Sequence, residues 1–189
     1  MYSPRIELAL TTALDAHGLH KRKAGRGFEV AHVTSVALIT ADYGFDEDTV
    51  IAALLHDTLE DTALPPQDIS ARFGDLVLGM VQDVSEPPKP LRWRARKEAY
   101  IDQLRRTPRM GSLAIASADK IHNLTKMAEG LKLGGLEFAR PFTAGLDAMQ
   151  WYHHAVCDMA GARWDHAILE EHRQRLDTFD AAVRDLASG

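Results

Sequence analysis

An apolar helical run that ends in four ionisable side chains is the feature that most constrains this chain. Residues 52–55 read Ala-Ala-Leu-Leu, His56 and Asp57 follow directly, and Glu60 and Asp61 lie one helical turn later. Burying an imidazole and several carboxylates without a partner is costly, and a divalent cation is a partner that suits both groups. The pattern therefore predicts a metal site at the end of this run.

One helix offers only part of an ion's coordination shell, so other segments must supply the remaining ligands. His32 precedes an apolar stripe that begins at Val36, and Asp119 ends the apolar stretch 113–118. Together with the His-Asp pair, these residues give mixed nitrogen and oxygen ligation, which favours Mn²⁺ or Fe²⁺ over Ca²⁺. The chain has one cysteine, which argues against a structural zinc site built on paired cysteines. We expect Mn²⁺.

Glu60 and Asp61 are predicted to act on water and not on the ion. Glu60 is four residues after His56, and Asp61 is four residues after Asp57. If the helix continues this far, both carboxylates lie over the face that carries the ligands. Either one could then orient or deprotonate an attacking water.

The composition favours one folded domain. The chain has 189 residues, of which 46% are hydrophobic, and its single cysteine, Cys157, cannot form an internal disulfide. Neither a secretory signal nor an apolar stretch of transmembrane length is evident. We therefore expect a single domain over residues 1–189, a cytoplasmic location and no membrane partner.

The positive charges are concentrated in two stretches. Net charge is −5, yet 12 of the 22 Lys and Arg residues fall within 21–26 and 89–109. Local basic patches on an acidic protein suit a small polyanion better than a long nucleic acid. The first stretch precedes His32 and the second lies between the metal-ligand candidates, so both would bracket a small polyanion if they fold towards the ion.

Helical spacing of apolar residues predicts an all-α fold of about eight to ten helices. Glycines and prolines punctuate the chain between these segments, notably Gly44, Gly74 and Gly134-Gly135. Alternating strand patterns are lacking. The predicted helical segments are 4–16, 30–43, 47–60, 67–85, 93–106, 111–129, 136–159 and 164–187.

Two longer motifs resemble a known family. Residues 54–62 read Leu-Leu-His-Asp-Thr-Leu-Glu-Asp-Thr, and residues 118–124 read Ala-Asp-Lys-Ile-His-Asn-Leu. These motifs, in the order His, His-Asp and Asp, are similar to those of the HD-domain hydrolases. Within them the chain resembles the hydrolase domain of the RelA/SpoT alarmone enzymes and the small alarmone hydrolases similar to metazoan SpoT homologues. The resemblance covers about residues 19–160, and the C-terminal helix 164–187 follows it.

The resemblance implies an activity and a role for each matching position. The activity is Mn²⁺-dependent hydrolysis of the 3′-pyrophosphate of (p)ppGpp or (p)ppApp, which gives a 5′-nucleotide and pyrophosphate. Glu60 and Asp61 would activate the attacking water, and the segment 138–145 resembles a closing helix that walls the pocket. The implied metal ligands are His32, His56, Asp57 and Asp119. The implied substrate contacts are Arg22, Lys23, Arg96, Lys97, Asn123, Trp151 and Tyr152.

One segment departs from the family pattern. Family members have Tyr-Ile-x-His-Pro around the first ligand, whereas residues 28–33 here read Phe-Glu-Val-Ala-His-Val. The preferred substrate therefore stays open between a guanine alarmone, an adenine alarmone and another 3′-phosphorylated nucleotide.

Two other functions also stay open: another HD nucleotide phosphohydrolase (5′-nucleotidase, dNTP or NADPH phosphatase), and a nucleotide sensor without turnover. The Glu60-Asp61 pair speaks against the first, and the complete ligand set speaks against the second. The expected partner is a small nucleotide polyphosphate, with a homo-oligomer left open.

Overall fold

The fold is built from helices. The computed structural model describes residues 2–22, 27–87 and 91–188, except for the side chains of residues 187 and 188. Within these ranges there are ten helices and no strand, with one isolated antiparallel bridge between Lys21 and Phe28. The all-α prediction is confirmed. The helices are α1 (Pro4–His17), α2 (Glu29–Asp42), α3 (Glu47–Leu55), α4 (Thr58–Asp61), α5 (Pro66–Phe73), α6 (Asp75–Val84), α7 (Trp93–Arg106), α8 (Met110–Ala139), α9 (Leu146–Arg163) and α10 (Ile168–Ser188).

Two helix starts follow from capping residues in the sequence. The Ser3 side chain accepts a hydrogen bond from the Ile6 amide (3.1 Å), and the Asp46 side chain accepts one from the Thr49 amide (2.9 Å). Each cap satisfies an amide that has no partner inside its helix. The second cap fixes where α3 begins, and α3 carries the apolar run that leads to the His-Asp pair.

The predicted single helix over 47–60 is wrong, because it is broken where the ionisable residues begin. α3 ends at Leu55 and α4 starts at Thr58. The carbonyl of Ala53 lies 2.8 Å from His56 Nδ1, and the carbonyl of Leu55 accepts a hydrogen bond from Thr58 Oγ1 at 2.6 Å. In a continuous helix these carbonyls would accept from amides four residues later. The side chains compete for them, and the His-Asp pair lies at the junction.

The predicted helix over 136–159 also begins elsewhere. α8 continues to Ala139 across Gly135, which has a φ of 55°, and α9 starts at Leu146 after Gly145, which has a φ of 81°. Positive φ is accessible to glycine without steric strain. The segment 138–145 is therefore the end of α8 and a turn, and it does not open α9.

Two hydrophobic clusters meet along α8. The larger draws on α1 to α3, α5 to α7, the first half of α8, one face of α9 and the start of α10, with fully buried Ile51, Leu55 and Leu113. The smaller lies between the second half of α8, α9 and α10 around Leu131 and Phe179. No described helix is long and apolar enough to cross a bilayer.

Candidate metal centre

Residues from three separate segments converge at one buried point. One potential ligand atom from each of His32 on α2, His56 at the α3–α4 junction and Asp119 on α8 lies within 4.8 Å of the other two. Asp57 falls outside this mutually close group but contacts both imidazoles. Its Oδ2 is 3.4 Å from His32 Nε2, and its Oδ1 is 3.2 Å from His56 Nε2. We call these four residues the His–Asp cluster.

His56 is held in the tautomer that a metal ligand requires. Its Nδ1 is 2.8 Å from the carbonyl oxygen of Ala53, which can only accept, so Nδ1 carries the proton. The opposite atom, Nε2, is buried and makes no hydrogen bond within the described part of the chain. A buried acceptor nitrogen without a donor is costly. A cation at this point would satisfy it.

His122 orients His32 from the other side. The two Nδ1 atoms are 2.9 Å apart, so one of them donates and the other accepts. His32 Nε2 lies 3.2 Å from Asp119 Oδ1, on the side of the carboxylates. If His32 Nδ1 carries the proton and donates it to His122, then Nε2 is free for a metal. Contacts of this kind fix the ring orientation of metal-binding histidines.

The surroundings of the cluster favour the ionised form of its carboxylates. Burial alone would raise the pKa values of Asp57 and Asp119, but neighbouring groups outweigh it and hold both pKa values below the usual range. The largest opposing contribution comes from the adjacent His56 imidazole for Asp57, and from the Lys120 ammonium for Asp119. Conversely, burial alone would lower the pKa of His32, and the two carboxylates raise it above its ordinary value. Two anions and two imidazoles are thus arranged as nitrogen and oxygen ligands, which fits a divalent metal.

Glu60 and Asp61 lie beside the cluster in different environments. Glu60 Oε1 accepts a hydrogen bond from the backbone amide of Glu86 at 2.7 Å, and burial raises the pKa of Glu60 to about 8. Asp61 is exposed. Both residues line the cavity that opens beside the His–Asp cluster. Of the two, Glu60 is the carboxylate with a fixed position.

A cavity of about 1320 Å³ opens from the His–Asp cluster. This volume accommodates a nucleotide-sized ligand. Its apolar end is lined by Met127, Phe142 and the ring of Phe138, which packs directly over Gly130 of α8. A Cβ atom at Gly130 would lie 2.3 Å from that ring, so the close packing requires glycine.

Four of the seven predicted substrate contacts lie in the cavity wall: Arg22, Lys97, Asn123 and Tyr152. Arg22 donates from Nη2 to Asn123 Oδ1 at 2.8 Å, and Asn123 in turn donates from Nδ2 to Asp119 Oδ1 at 2.5 Å. A chain of hydrogen bonds therefore joins a cation at the cavity to the His–Asp cluster.

Two other predicted contacts, Arg96 and Trp151, are not brought to the cavity. The remaining predicted contact, Lys23, lies outside the described residues. Arg96 is absent from the cavity wall, and its Nε pairs with Glu86 Oε2 at 2.8 Å. Trp151 lines a different groove, where the Arg94 guanidinium lies 3.1 Å above the centre of its ring.

Sequence reasoning did not single out three residues of this site: Glu86, Lys120 and His122. His122 and Lys120 stand in the motif 118–124, and the helical spacing from Asp119 to His122 was a usable signal for a shared face. Lys120 is buried, pairs with Asp119, and lines the cavity. Glu86 follows α6 with no pattern that marks it.

The segment that departs from the family pattern does reach the cavity. Phe28, Glu29 and Ala31 line it beside His32. Glu29 Oε2 pairs with Arg22 Nη1 at 3.3 Å.

Comparison with known proteins finds relatives that are named for alarmone hydrolysis. In sequence, the chain is 42% identical over 85 residues to the guanosine-3′,5′-bis(diphosphate) 3′-pyrophosphohydrolase of Aquifex aeolicus, an alignment that covers 45% of this chain and 12% of that protein. It is 35% identical over 125 residues to the bifunctional (p)ppGpp synthase/hydrolase SpoT of Escherichia coli K12, covering 64% of this chain and 18% of that one. The chain thus spans less than one fifth of the length of these two relatives.

A solved structure matches nearly the whole chain. It is that of a metazoan ortholog of SpoT that hydrolyzes ppGpp, with 25% sequence identity, a TM-score of 0.73, and coverage of 98% of this chain and 97% of that one. The lmo0812 protein of Listeria monocytogenes EGD-e matches with 32% identity and a TM-score of 0.70, over 77% of this chain and 96% of that one. The family model described as HD domain matches residues 9–140, more than half of the sequence. The chain therefore belongs to the HD domain family.

Proposed function

We propose that this protein is an Mn²⁺-dependent hydrolase of the 3′-pyrophosphate of alarmone nucleotides, (p)ppGpp or (p)ppApp. The observation that carries the proposal is the convergence of His32, His56 and Asp119, with Asp57 against both imidazoles, at the end of a nucleotide-sized cavity. Relatives that bear the name of this activity add support. The proposal treats residues 1–189 as one catalytic domain.

In this proposal the four cluster residues hold the ion. When bound, a divalent ion supplies Lewis acidity towards water and towards a phosphoryl oxygen. Glu60 is the general base: its Oε1 is held by the Glu86 amide, and its carboxylate takes a proton from the attacking water. The water oxygen bonds to the phosphorus next to the ribose, and the bond from that phosphorus to O3′ breaks. The departing O3′ takes up the proton from Glu60, so the products are a free 3′-hydroxyl and pyrophosphate.

The cations in the cavity wall stabilise the charge of the transferred group. Arg22, Lys97 and Lys120, which we call the cationic wall, come from three different segments and all line the cavity. Fixed cations that face developing negative charge are a main source of catalytic acceleration in phosphoryl transfer. Asp61, which is exposed, assists from the solvent side of the cavity.

The proposal is tested with purified full chain, Mn²⁺ and a panel of ppGpp, pppGpp, ppApp, NADPH and dNTPs, with products resolved by ion exchange. We expect pyrophosphate and a 5′-nucleotide from the alarmones only, with loss of turnover after chelation of the metal. The ratio of guanine to adenine alarmone turnover gives the preferred base.

Other outcomes would overturn the proposal in distinct ways. Release of triphosphate or orthophosphate from dNTPs, NADPH or 5′-nucleotides, with the alarmones untouched, would indicate another HD phosphohydrolase. Alarmone binding without any product from ion-loaded protein would indicate a nucleotide sensor.

A further inference from the structure

Glu86 places a carboxylate between two cations that the sequence predicts to bind phosphate. Its Oε2 lies 2.8 Å from Arg96 Nε, and its Oε1 pairs with Lys97 Nζ. The Glu86 side chain is only 13% exposed. Because this carboxylate is largely out of solvent, its attraction to the two cations is weakly screened by water.

Lys97 is the cation of this pair that faces the cavity. Its ammonium lies 4.4 Å from the centre of the Tyr152 ring, and both residues line the cavity. Burial lowers the pKa of Lys97, and Glu86 opposes that shift. The Lys97 ammonium is therefore well placed to bind an anion in the cavity, but it is already paired with the Glu86 carboxylate.

We propose that Glu86 is a specificity-determining residue whose carboxylate takes the place of a substrate phosphate on Lys97 and must be displaced when substrate binds. This inference rests on the proposed function. A pyrophosphate group has more charge and more acceptor oxygens than a carboxylate, so it can replace Glu86. A neutral group cannot, and a singly charged one gains little by the exchange. Glu86 thus selects for polyanionic ligands.

The exchange takes place next to the proposed general base. The Glu86 amide donates to Glu60 Oε1 at 2.7 Å, and this bond belongs to the backbone. The side chain can therefore leave Lys97 while the amide continues to hold Glu60. Arrival of a polyanion at Lys97 would swap one anion for another beside Glu60.

The test measures binding of inorganic pyrophosphate by titration calorimetry to Mn²⁺-loaded full chain, with equal free Mn²⁺ in both solutions. Wild type is compared with Glu86→Gln and with the control Glu98→Gln. Glu98 is exposed, lies outside the cavity and pairs with Arg94 at an N–O distance of 2.8 Å, so the control removes the same charge from another ion pair. We expect Glu86→Gln to bind pyrophosphate at least about tenfold more tightly, as for release of a charged contact. We expect Glu98→Gln to stay within about twofold of wild type.

A second comparison, made in a Lys97→Met protein, tests whether the gain in pyrophosphate affinity depends on Lys97. In Lys97→Met the gain from Glu86→Gln should shrink to about twofold or less, because the carboxylate then has no cavity-facing cation to occupy. Glu86→Ala serves as a second variant and should show the same gain, with thermal melting as the check on folding. Unchanged or weaker pyrophosphate binding in both Glu86 variants, or a full gain in the Lys97→Met background, would overturn the proposal.

These outcomes are separate from those of the proposed function. Pyrophosphate binding is measured without turnover, so Glu86 can prove unimportant while alarmone hydrolysis holds. Conversely, a protein that does not hydrolyse alarmones could still show the exchange of anions at Lys97.

Discussion

The His–Asp cluster and the cationic wall lie in one cavity but are constructed differently. In the cluster, protein groups fix the ligand atoms in place: His56 by the Ala53 carbonyl, and Asp119 by Asn123. Those contacts leave His56 Nε2 free for an ion.

In the cationic wall, the charges already hold partners of opposite charge. Arg22 pairs with Glu29, Lys97 pairs with Glu86, and Lys120 pairs with Asp119. A ligand phosphate that binds to the cationic wall must compete with these carboxylates. The net binding free energy is therefore the difference between the new ion pair with phosphate and the old one with the carboxylate. The cluster is preorganised, whereas the wall works by exchange. Substitutions in the cluster should therefore reduce activity by orders of magnitude, and substitutions in the wall should shift affinity modestly.

The largest expected effect comes from removing a ligand of the cluster. Asp57→Ala leaves two imidazoles without the carboxylate that contacts both of them. We expect bound Mn²⁺ to fall from one ion per chain to well below, measured by elemental analysis. Activity should fall by more than the roughly 100-fold that loss of an outer partner produces. Asp68→Ala, at a half-exposed position on α5, is the matched control. Full metal content in Asp57→Ala would remove that residue from the cluster.

The next effect separates the two neighbouring carboxylates. Glu60 is held by a backbone amide and Asp61 is exposed, so Glu60→Gln should lower kcat by roughly 100-fold, as for loss of a general base. Asp61→Asn should lower it by less than about tenfold, and the double variant should be close to Glu60→Gln alone. Metal content should stay near one ion per chain in all three. Equal losses from the two single variants would show that exposure does not decide the role.

The same pair gives a pH dependence with a defined direction. A base must be deprotonated to act, and burial raises the pKa of Glu60 to about 8. In the wild type kcat should therefore rise with pH towards that value, and a bound cation moves the rise to lower pH. The pH profile of kcat for Glu60→Gln should lack this rise.

A smaller effect is expected at His122, which supports the cluster without belonging to it. His122→Ala removes the partner of His32 Nδ1, 2.9 Å away, and should weaken Mn²⁺ binding by about 10- to 100-fold. His122→Asn offers an amide oxygen to the same nitrogen and should recover part of the loss. His154→Ala, on α9 outside the cavity, is the control. If Mn²⁺ affinity is the same in wild type and in both His122 variants, His32 needs no such partner.

The cluster could be predicted from sequence because its residues contradict their surroundings. His56 and Asp119 end stretches that otherwise bury every side chain, and such local conflict is visible in a short window. The break between α3 and α4 could not be predicted in this way. It depends on hydrogen bonds from His56 and Thr58 to backbone carbonyls, and apolar periodicity carries no information about those bonds.

The substrate contacts were only partly predictable from sequence, for a geometric reason. The sequence pairs Arg96 with Lys97 and Trp151 with Tyr152, but neighbours on a helix point about 100° apart. Only the second residue of each pair lines the cavity. Glu86 reaches Lys97 of the cationic wall through a tertiary ion pair, which no local pattern records.

The smallest effect is expected at Arg22 of the cationic wall. A charge-assisted contact to phosphate contributes about 1.5–3 kcal/mol when it forms without competition. Arg22 must loosen its contacts with Glu29 (3.3 Å) and Asn123 (2.8 Å) to bind a ligand, so the net loss should lie at the low end. We expect Arg22→Gln to raise KM for the alarmone about tenfold and to make KM less sensitive to salt. Arg140→Gln, an exposed residue paired with Glu137, should leave KM unchanged. A 100-fold rise in KM for Arg22→Gln would mean that this cation is as preorganised as the cluster. No change would mean that its partners never release it.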